Sequence, residues 1–141
     1  MKRLTLIFAL LSFVLTGFAQ SLLSPEQLAK REKRKNLTVK EWNTDAKSKT
    51  RWLDHVTTYN DRGEKVEEIE YTQYGQKWRE TFEYDSNGLI VKDTRYNEKD
   101  KVELVRRYEY NADGTKKKQY NYAPTGKLLT IKVFEYERSI R

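Results

Sequence analysis

An all-β fold is predicted from this sequence: an antiparallel meander of repeated β-hairpins in one extended, twisted sheet of about seven to nine strands, preceded by a short N-terminal helix. Three observations predict it. Tyrosines recur at nearly constant spacing between residues 59 and 136. Four residues after six of these stands a glycine, or once an aspartate. The segments between are rich in Tyr, Thr, Val, Ile, Phe and Trp and have the length of ordinary strands.

In chain order, the first residues are not expected to join the fold. Lys2 and Arg3 precede an apolar run from Leu4 to Phe18, and Gly17-Phe18-Ala19 places small residues at the exit. A charged start, an apolar middle and a small-residue exit make a secretory signal peptide of residues 1–19, cut before Gln20. The mature chain is then expected in the periplasm, secreted or at the cell surface, with no membrane span after cleavage. An uncleaved N-terminal anchor is the competing reading.

Residues 20–50 read as a helix, a basic linker and a first strand. Ser24-Pro25-Glu26-Gln27 sets a capping serine, a first-turn proline and a capping-box glutamine in order. A short helix from there ends near Asn36. Leu37, Val39 and Trp42 suggest a strand, Thr44–Lys49 a turn, and Arg51–Tyr59 the next strand. The run Lys30, Arg31, Lys33, Arg34, Lys35 suits a solvated helix face or tether better than a nucleic-acid site in an exported chain. Asn36-Leu37-Thr38 matches a glycosylation sequon by spacing alone.

From residue 51 to 141 the chain is a repeat domain. Tyr59, Tyr71, Tyr84, Tyr96, Tyr110, Tyr122 and Tyr136 are separated by 12, 13, 12, 14, 12 and 14 residues. Gly63, Gly75, Gly88, Asp100, Gly114 and Gly126 follow six of them. Short and long intervals alternate, so the unit is two strands long: 59–83, 84–109 and 110–135. Phe82-Glu83-Tyr84, Tyr108-Glu109-Tyr110 and Phe134-Glu135-Tyr136 mark the unit boundaries. Asn60, Asp85, Asn97 and Asn111 directly follow their tyrosines, where a short polar side chain caps a turn. The glycine three residues later accepts positive φ at little cost, as a type I turn closed by a left-handed bulge residue requires. Asp100 substitutes once, and Asp tolerates that region better than most residues.

Alternation along the strands gives no conventional core face. Before Tyr84, Trp78, Glu80, Phe82 and Tyr84 oppose Lys77, Arg79, Thr81 and Glu83. Before Tyr110, Val102, Leu104, Arg106, Tyr108 and Tyr110 oppose Glu103, Val105, Arg107 and Glu109. From Gln20 onward, Leu, Ile, Val and Phe supply only 22 of 122 residues. A thin sheet whose repeats lean on their neighbours through aromatic ladders is expected, with a barrel or self-folded sheet as the competitor.

Composition excludes much chemistry. With 28 Lys+Arg, 21 Asp+Glu, one His and no Cys, disulfides, thiolate metal sites and His-pair zinc sites are ruled out. Acid pairs such as Glu67/Glu68 and Asp61/Glu64 lack the burial that separates two carboxyl pKa values. His55, beside Trp52 in sequence, reads as a packed imidazole, and Asp85-Ser86-Asn87-Gly88 as a hairpin turn lacking the later ligands of a calcium loop. No catalytic residue, cofactor or metal is expected, and the chain reads as a non-enzyme.

Tyr84-Asp85-Ser86-Asn87-Gly88-Leu89-Ile90 resembles the YD repeat of rearrangement-hotspot (Rhs-like) bacterial surface proteins, a Tyr-Asp-x-x-Gly-x-Leu unit. Tyr59-Asn60-Asp61-Arg62-Gly63 and Tyr110-Asn111-Ala112-Asp113-Gly114 are similar, so the resemblance covers about residues 59–136. Asp follows Tyr only once here, and three units are too few to enclose a cargo as long arrays do. The resemblance implies β-hairpin repeats with carbohydrate-binding or scaffold roles. Small exported MORN-like hairpin proteins, some labelled antitoxins, are a second similar group. The functional expectation is therefore an exported, non-catalytic binding or scaffold module with a protein or polysaccharide partner and no nucleic acid. Its candidate surface is Trp78, Phe82, Tyr84, Tyr108, Tyr110 and Tyr136. The alternative is an immunity-like partner that binds through an exposed sheet edge.

Overall fold

The structure, a computed structural model, describes residues 21–140; the expected signal peptide at 1–19 lies outside them. One helix, α1 (Pro25–Glu32), precedes eight strands: β1 (Thr38–Thr44), β2 (Arg51–Tyr59), β3 (Lys65–Thr72), β4 (Gly75–Tyr84), β5 (Ile90–Tyr96), β6 (Val102–Tyr110), β7 (Lys116–Tyr122) and β8 (Leu128–Val133). They form a single sheet in strict sequence order, every neighbouring pair antiparallel. β1 and β8 are its two edges, so the sheet is open and does not close into a barrel.

The helix forms for the reason its sequence states. The Ser24 hydroxyl accepts from the Gln27 N–H at 3.2 Å while the Gln27 side chain accepts from the Ser24 N–H at 2.8 Å. Two orphan donors of the first turn are thus satisfied reciprocally.

The turns carry the repeat. Asn60, Asp85, Asn97, Asn111 and Ala123 each accept a backbone bond from the residue three positions on, at 2.9–3.0 Å. The Asn60, Asp85 and Asn97 side-chain oxygens also accept two backbone N–H groups of their own turns. Gly63, Gly88, Asp100, Gly114 and Gly126 take φ between 60° and 87°, the left-handed region that glycine enters freely. Gly75 is different: with φ 132° it is the first residue of β4, after a two-residue loop. Thr72 rather than Asn or Asp follows Tyr71 there, and its hydroxyl accepts from the Tyr74 N–H at 3.1 Å. The Ala123 turn also lacks an Asx cap but has Pro124 to preset φ at its second position; Thr72-Gln73-Tyr74-Gly75 has neither, and the longer turn does not form there.

Register shifts fall immediately before Tyr59, Tyr71, Tyr84, Tyr96, Tyr110 and Tyr122. A bulge there turns the strand into its loop. The boundary tyrosines then fasten each unit to the one before. Tyr84, Tyr110 and Tyr136 donate their hydroxyls to the carbonyls of Lys65, Ile90 and Lys116, at 2.8, 2.5 and 2.7 Å. Those acceptors are the first residues of β3, β5 and β7.

No hydrophobic side chain among the described residues is buried; the buried polar residues are Glu64, Glu80, Asp93 and Thr94. Cohesion in such a single layer comes from cross-strand pairs and satisfied polar networks rather than a core. The segment before β1 lies across one end of the sheet. Arg31 donates to Glu64 at 3.1 Å and to the Gly88 carbonyl at 2.6 Å, joining the β2–β3 and β4–β5 turns. Its guanidinium also lies 5.5 Å from the centre of the Tyr84 ring. One residue of the basic run is therefore a clip. Lys30 and Lys35 instead pair locally with Glu26 and Glu32, Lys30 on the exposed helix surface and Lys35 in the turn that follows it.

Candidate functional site: the aromatic face and the open edge

The register settles which of the expected binding residues share a face. Glu70 lies opposite Trp78, Phe82 opposite Asp93, Asp93 opposite Arg106, and Tyr108 opposite Gln119. Trp78, Phe82 and Tyr108 thus occupy one face together with Glu80, Asp93 and Arg106. Tyr84 and Tyr110 stand at the bulges and Tyr136 lies beyond the end of β8, all three with their hydroxyls committed to backbone carbonyls.

On the shared face the rings are covered by cations. The Arg95 guanidinium lies 4.8 Å from the Trp78 ring centre, the Lys65 amine 4.7 Å from Phe82 and the Lys116 amine 4.6 Å from Tyr108. His55 packs edge-on to Trp78 with centroids 6.0 Å apart and accepts or donates to Glu68 at 2.8 Å. Cation–π packing of this kind supports the sheet, and it occupies ring surface that a stacked sugar would need.

Between the rings lies a polar cluster. Arg106 Nε donates to Asp93 Oδ1 at 2.6 Å, Arg106 Nη2 bonds Glu80, and the Tyr108 hydroxyl donates to Asp93 Oδ2 at 2.5 Å. Burial pushes the Glu80 carboxyl above its ordinary range, with Arg106 acting against it. Burial, then the bond to Asp93, pushes the Tyr108 phenol strongly up. Burial likewise carries Tyr84 up to about 12. Both carboxylates share one guanidinium, a satisfied structural network in which neither is left as a free base. Among the described residues no group of three His, Asp or Glu side chains could hold a metal.

The sequence reading did not single out this cluster, although the period shows it. Glu80, Arg106 and Lys132 occupy the same place in successive units, 26 residues apart. Asp100 departs from the glycine pattern for a visible reason: it accepts from Arg79 Nε at 2.8 Å and from Gln76 at 3.4 Å. Those bonds hold its carboxyl below the ordinary value.

The other notable surface is the edge at β8. Leu129, Ile131 and Val133 are 53%, 49% and 58% exposed. Ile131 lies opposite Tyr120 and Val133 opposite Lys118, so these side chains share the face opposite to Trp78. The Phe134 N–H donates inward to the Lys117 carbonyl at 3.1 Å. By alternation the peptide groups of Ile131 and Val133 point away from β7, into the open edge. At the opposite edge β1 presents Lys40 and Glu41 in mid-strand, charges that blunt an edge.

A cleft of about 260 Å³ where α1 meets the sheet is lined by Lys30, Arg31, Arg34, Tyr59, Glu64 and Tyr84. It is the packing seam of the clip.

No protein-family model matches the chain, and no curated protein does. Among solved structures, similarity is found to S. aureus TarM bound to fondaparinux, alpha-GlcNAc-glycerol and UDP, at 17% identity and a TM-score of 0.32 over 74% of this chain. A second crystal structure of TarM gives 17% identity and a TM-score of 0.33 over 75%. The chain spans about a quarter of the length of those proteins, 24% in each case. Likenesses this weak identify neither fold nor function. Among the described residues no helix is long and apolar enough to cross a membrane.

Proposed function

We propose that the chain is an exported, non-catalytic repeat module that binds a partner protein by strand addition at β8. One observation carries the reading: β8 pairs only with β7 among the described residues, while Leu129, Ile131 and Val133 stand half exposed beside outward peptide groups. An open edge with one apolar face and a single charge, Lys132, is a template for an incoming extended segment. Neutralisation of a toxin by an immunity-like partner is one form such pairing takes. The aromatic face supports a glycan platform less well, because cations already cover Trp78, Phe82 and Tyr108.

Proline at residue 131 tests this without removing a ladder bond, since the Ile131 N–H points outward and Pro is tolerated at such edge positions. Peptides selected from an extended-peptide library against the wild-type chain are expected to lose binding to Ile131→Pro and to protect the Val133 amide from exchange. Equal binding to Ile131→Pro overturns the reading. Retention on a polysaccharide panel that is lost on Trp78→Ala would move the site to the aromatic face.

A further inference from the structure

The geometry points to an acidic partner: we infer that the segment added to β8 is an extended polypeptide alternating apolar and carboxylate side chains. The inference rests on the β8 edge being the binding surface and adds the chemistry of its ligand.

Ion pairing is uneven along the sheet. On β3–β6 six of the seven cations are paired, Lys65 with Glu68, Lys77 with Glu70, Arg79 with Asp100, Lys92 with Glu83, Arg95 with Glu103 and Arg106 with Asp93, while among the described residues Arg107 and, on β1, Lys40 make no ion pair. Among the described residues, Lys116, Lys117, Lys118, Lys127 and Lys132 on and around β7–β8 make no ion pair. The repeat shows what is missing. Lys132 holds in β8 the place that Arg106 holds in β6. Arg106 faces Asp93 on the strand before it, whereas Lys132 faces Gln119.

The two faces of the edge therefore ask for different side chains. On one, Leu129, Ile131 and Val133 present apolar surface next to Tyr120, with Lys118 as the one lysine of β7 behind them, opposite Val133. On the other, Lys132 stands at the edge and the exposed Lys117 sits behind it on β7. The Lys116 amine lies 6.0 Å from the Phe134 ring centre on that side. Phe82, the counterpart of Phe134, has Asp93 opposite it on the following strand. A partner strand with carboxylates on the lysine side and aliphatic groups on the other matches both surfaces. A second copy of β8 would bring Lys132 and its neighbouring lysines towards their own like, so self-pairing is disfavoured.

Three capped peptides of about seven residues, identical on their apolar side and carrying Glu, Gln or Lys at alternate positions, separate the outcomes. Titration followed by amide exchange of Ile131 and Val133 is the readout. The Glu peptide is expected to protect both amides and to bind about tenfold more tightly than the Gln peptide at low salt. That gap should close as salt rises and vanish in Lys117→Gln/Lys132→Gln, whose exposed positions leave the fold intact. Equal binding of the Glu and Gln peptides overturns the acidic-partner inference and leaves the edge reading standing. No protection by any of the three overturns both. Protection of these amides by polyphosphate, which has no peptide groups, or by self-association in sedimentation, also overturns the inference.

Discussion

Replacing Arg106 by methionine tests whether a coreless sheet depends on its buried ion network. The side chains of Glu80 and Asp93 are 10% and 5% exposed, and that of Arg106 is 26% exposed. Removing the guanidinium leaves two adjacent carboxylates with little access to water. Breaking a buried pair from one side costs about 3–5 kcal/mol, and the partial exposure of Arg106 places this case near 3. For a domain of this size that corresponds to a fall in Tm of roughly 9–15 °C. With a urea m-value of about 2 kcal/mol/M, the midpoint falls by roughly 1.5 M. The pH dependence has a definite sign. Glu80 already has a folded pKa above its ordinary 4.5, so the folded state binds that proton more tightly than the unfolded state does. The associated stability is present below pH 4.5 and is lost as pH rises through the folded value. Arg106→Met removes the charge that opposes this shift, so the window widens and the variant regains stability on acidification from neutral pH. Glu80→Gln/Asp93→Asn/Arg106→Met, with no buried charge, should recover most of the loss. Urea melts across pH read all of this. A loss in Arg106→Met below about 1 kcal/mol, the same at every pH, would show a solvated cluster and refute the reasoning.

The remaining expectations concern turns and tyrosines. A Cβ at Gly63 would lie 1.9 Å from the Arg31 carbonyl oxygen, whereas one at Gly126 meets nothing within 4 Å, and both residues have positive φ. Gly63→Ala should therefore cost about 2 kcal/mol more than the roughly 1 kcal/mol of Gly126→Ala, and should speed exchange through α1; equal losses in urea melts would show the clip undocked. Asp100→Gly relieves a non-glycine φ of 60° but loses the Arg79 bond, so its melt should stay within about 1 kcal/mol of wild type; a larger loss would mean that the ion pair outweighs the backbone term. Tyr84→Phe and Tyr110→Phe each remove a part-buried hydrogen bond and should cost about 1 kcal/mol. Tyr136→Phe, at 58% exposure, should cost a few tenths; three equal costs would show that covering by the next strand is irrelevant.

Particular residues show why some of this was legible in sequence. β2 spans Arg51–Tyr59 as expected, and α1 begins at the Ser24 cap, because caps, strand alternation and turn chemistry are local. The left-handed position at Asp100 was legible for the same reason. Gly75 shows the limit: its spacing fits the period, yet Thr72-Gln73 after Tyr71 has neither the Asx residue of the other turns nor the proline of Ala123-Pro124, and the loop differs. The helix was expected to run to near Asn36 and ends at Glu32, with Asn36 at φ 54°. Arg31 could not be told from Lys30 or Arg34, because its role depends on two turns distant in sequence. Glu80, Asp93 and Arg106 lie on three strands; the period aligns Glu80 with Arg106, but their meeting with Asp93 follows only once the register is fixed. The exposure of Ile131 was hidden likewise, since a strand written with Leu, Ile and Val reads the same in the interior of a sheet as at its edge.

Cross-strand amide contacts measured by NMR in the isolated chain test the central claim most directly. The account requires contacts only between strands adjacent in sequence, with the Ile131 and Val133 amides exchanging freely. Contacts between β1 and β8, or strong protection of those two amides without a ligand, would mean a closed sheet and would contradict it.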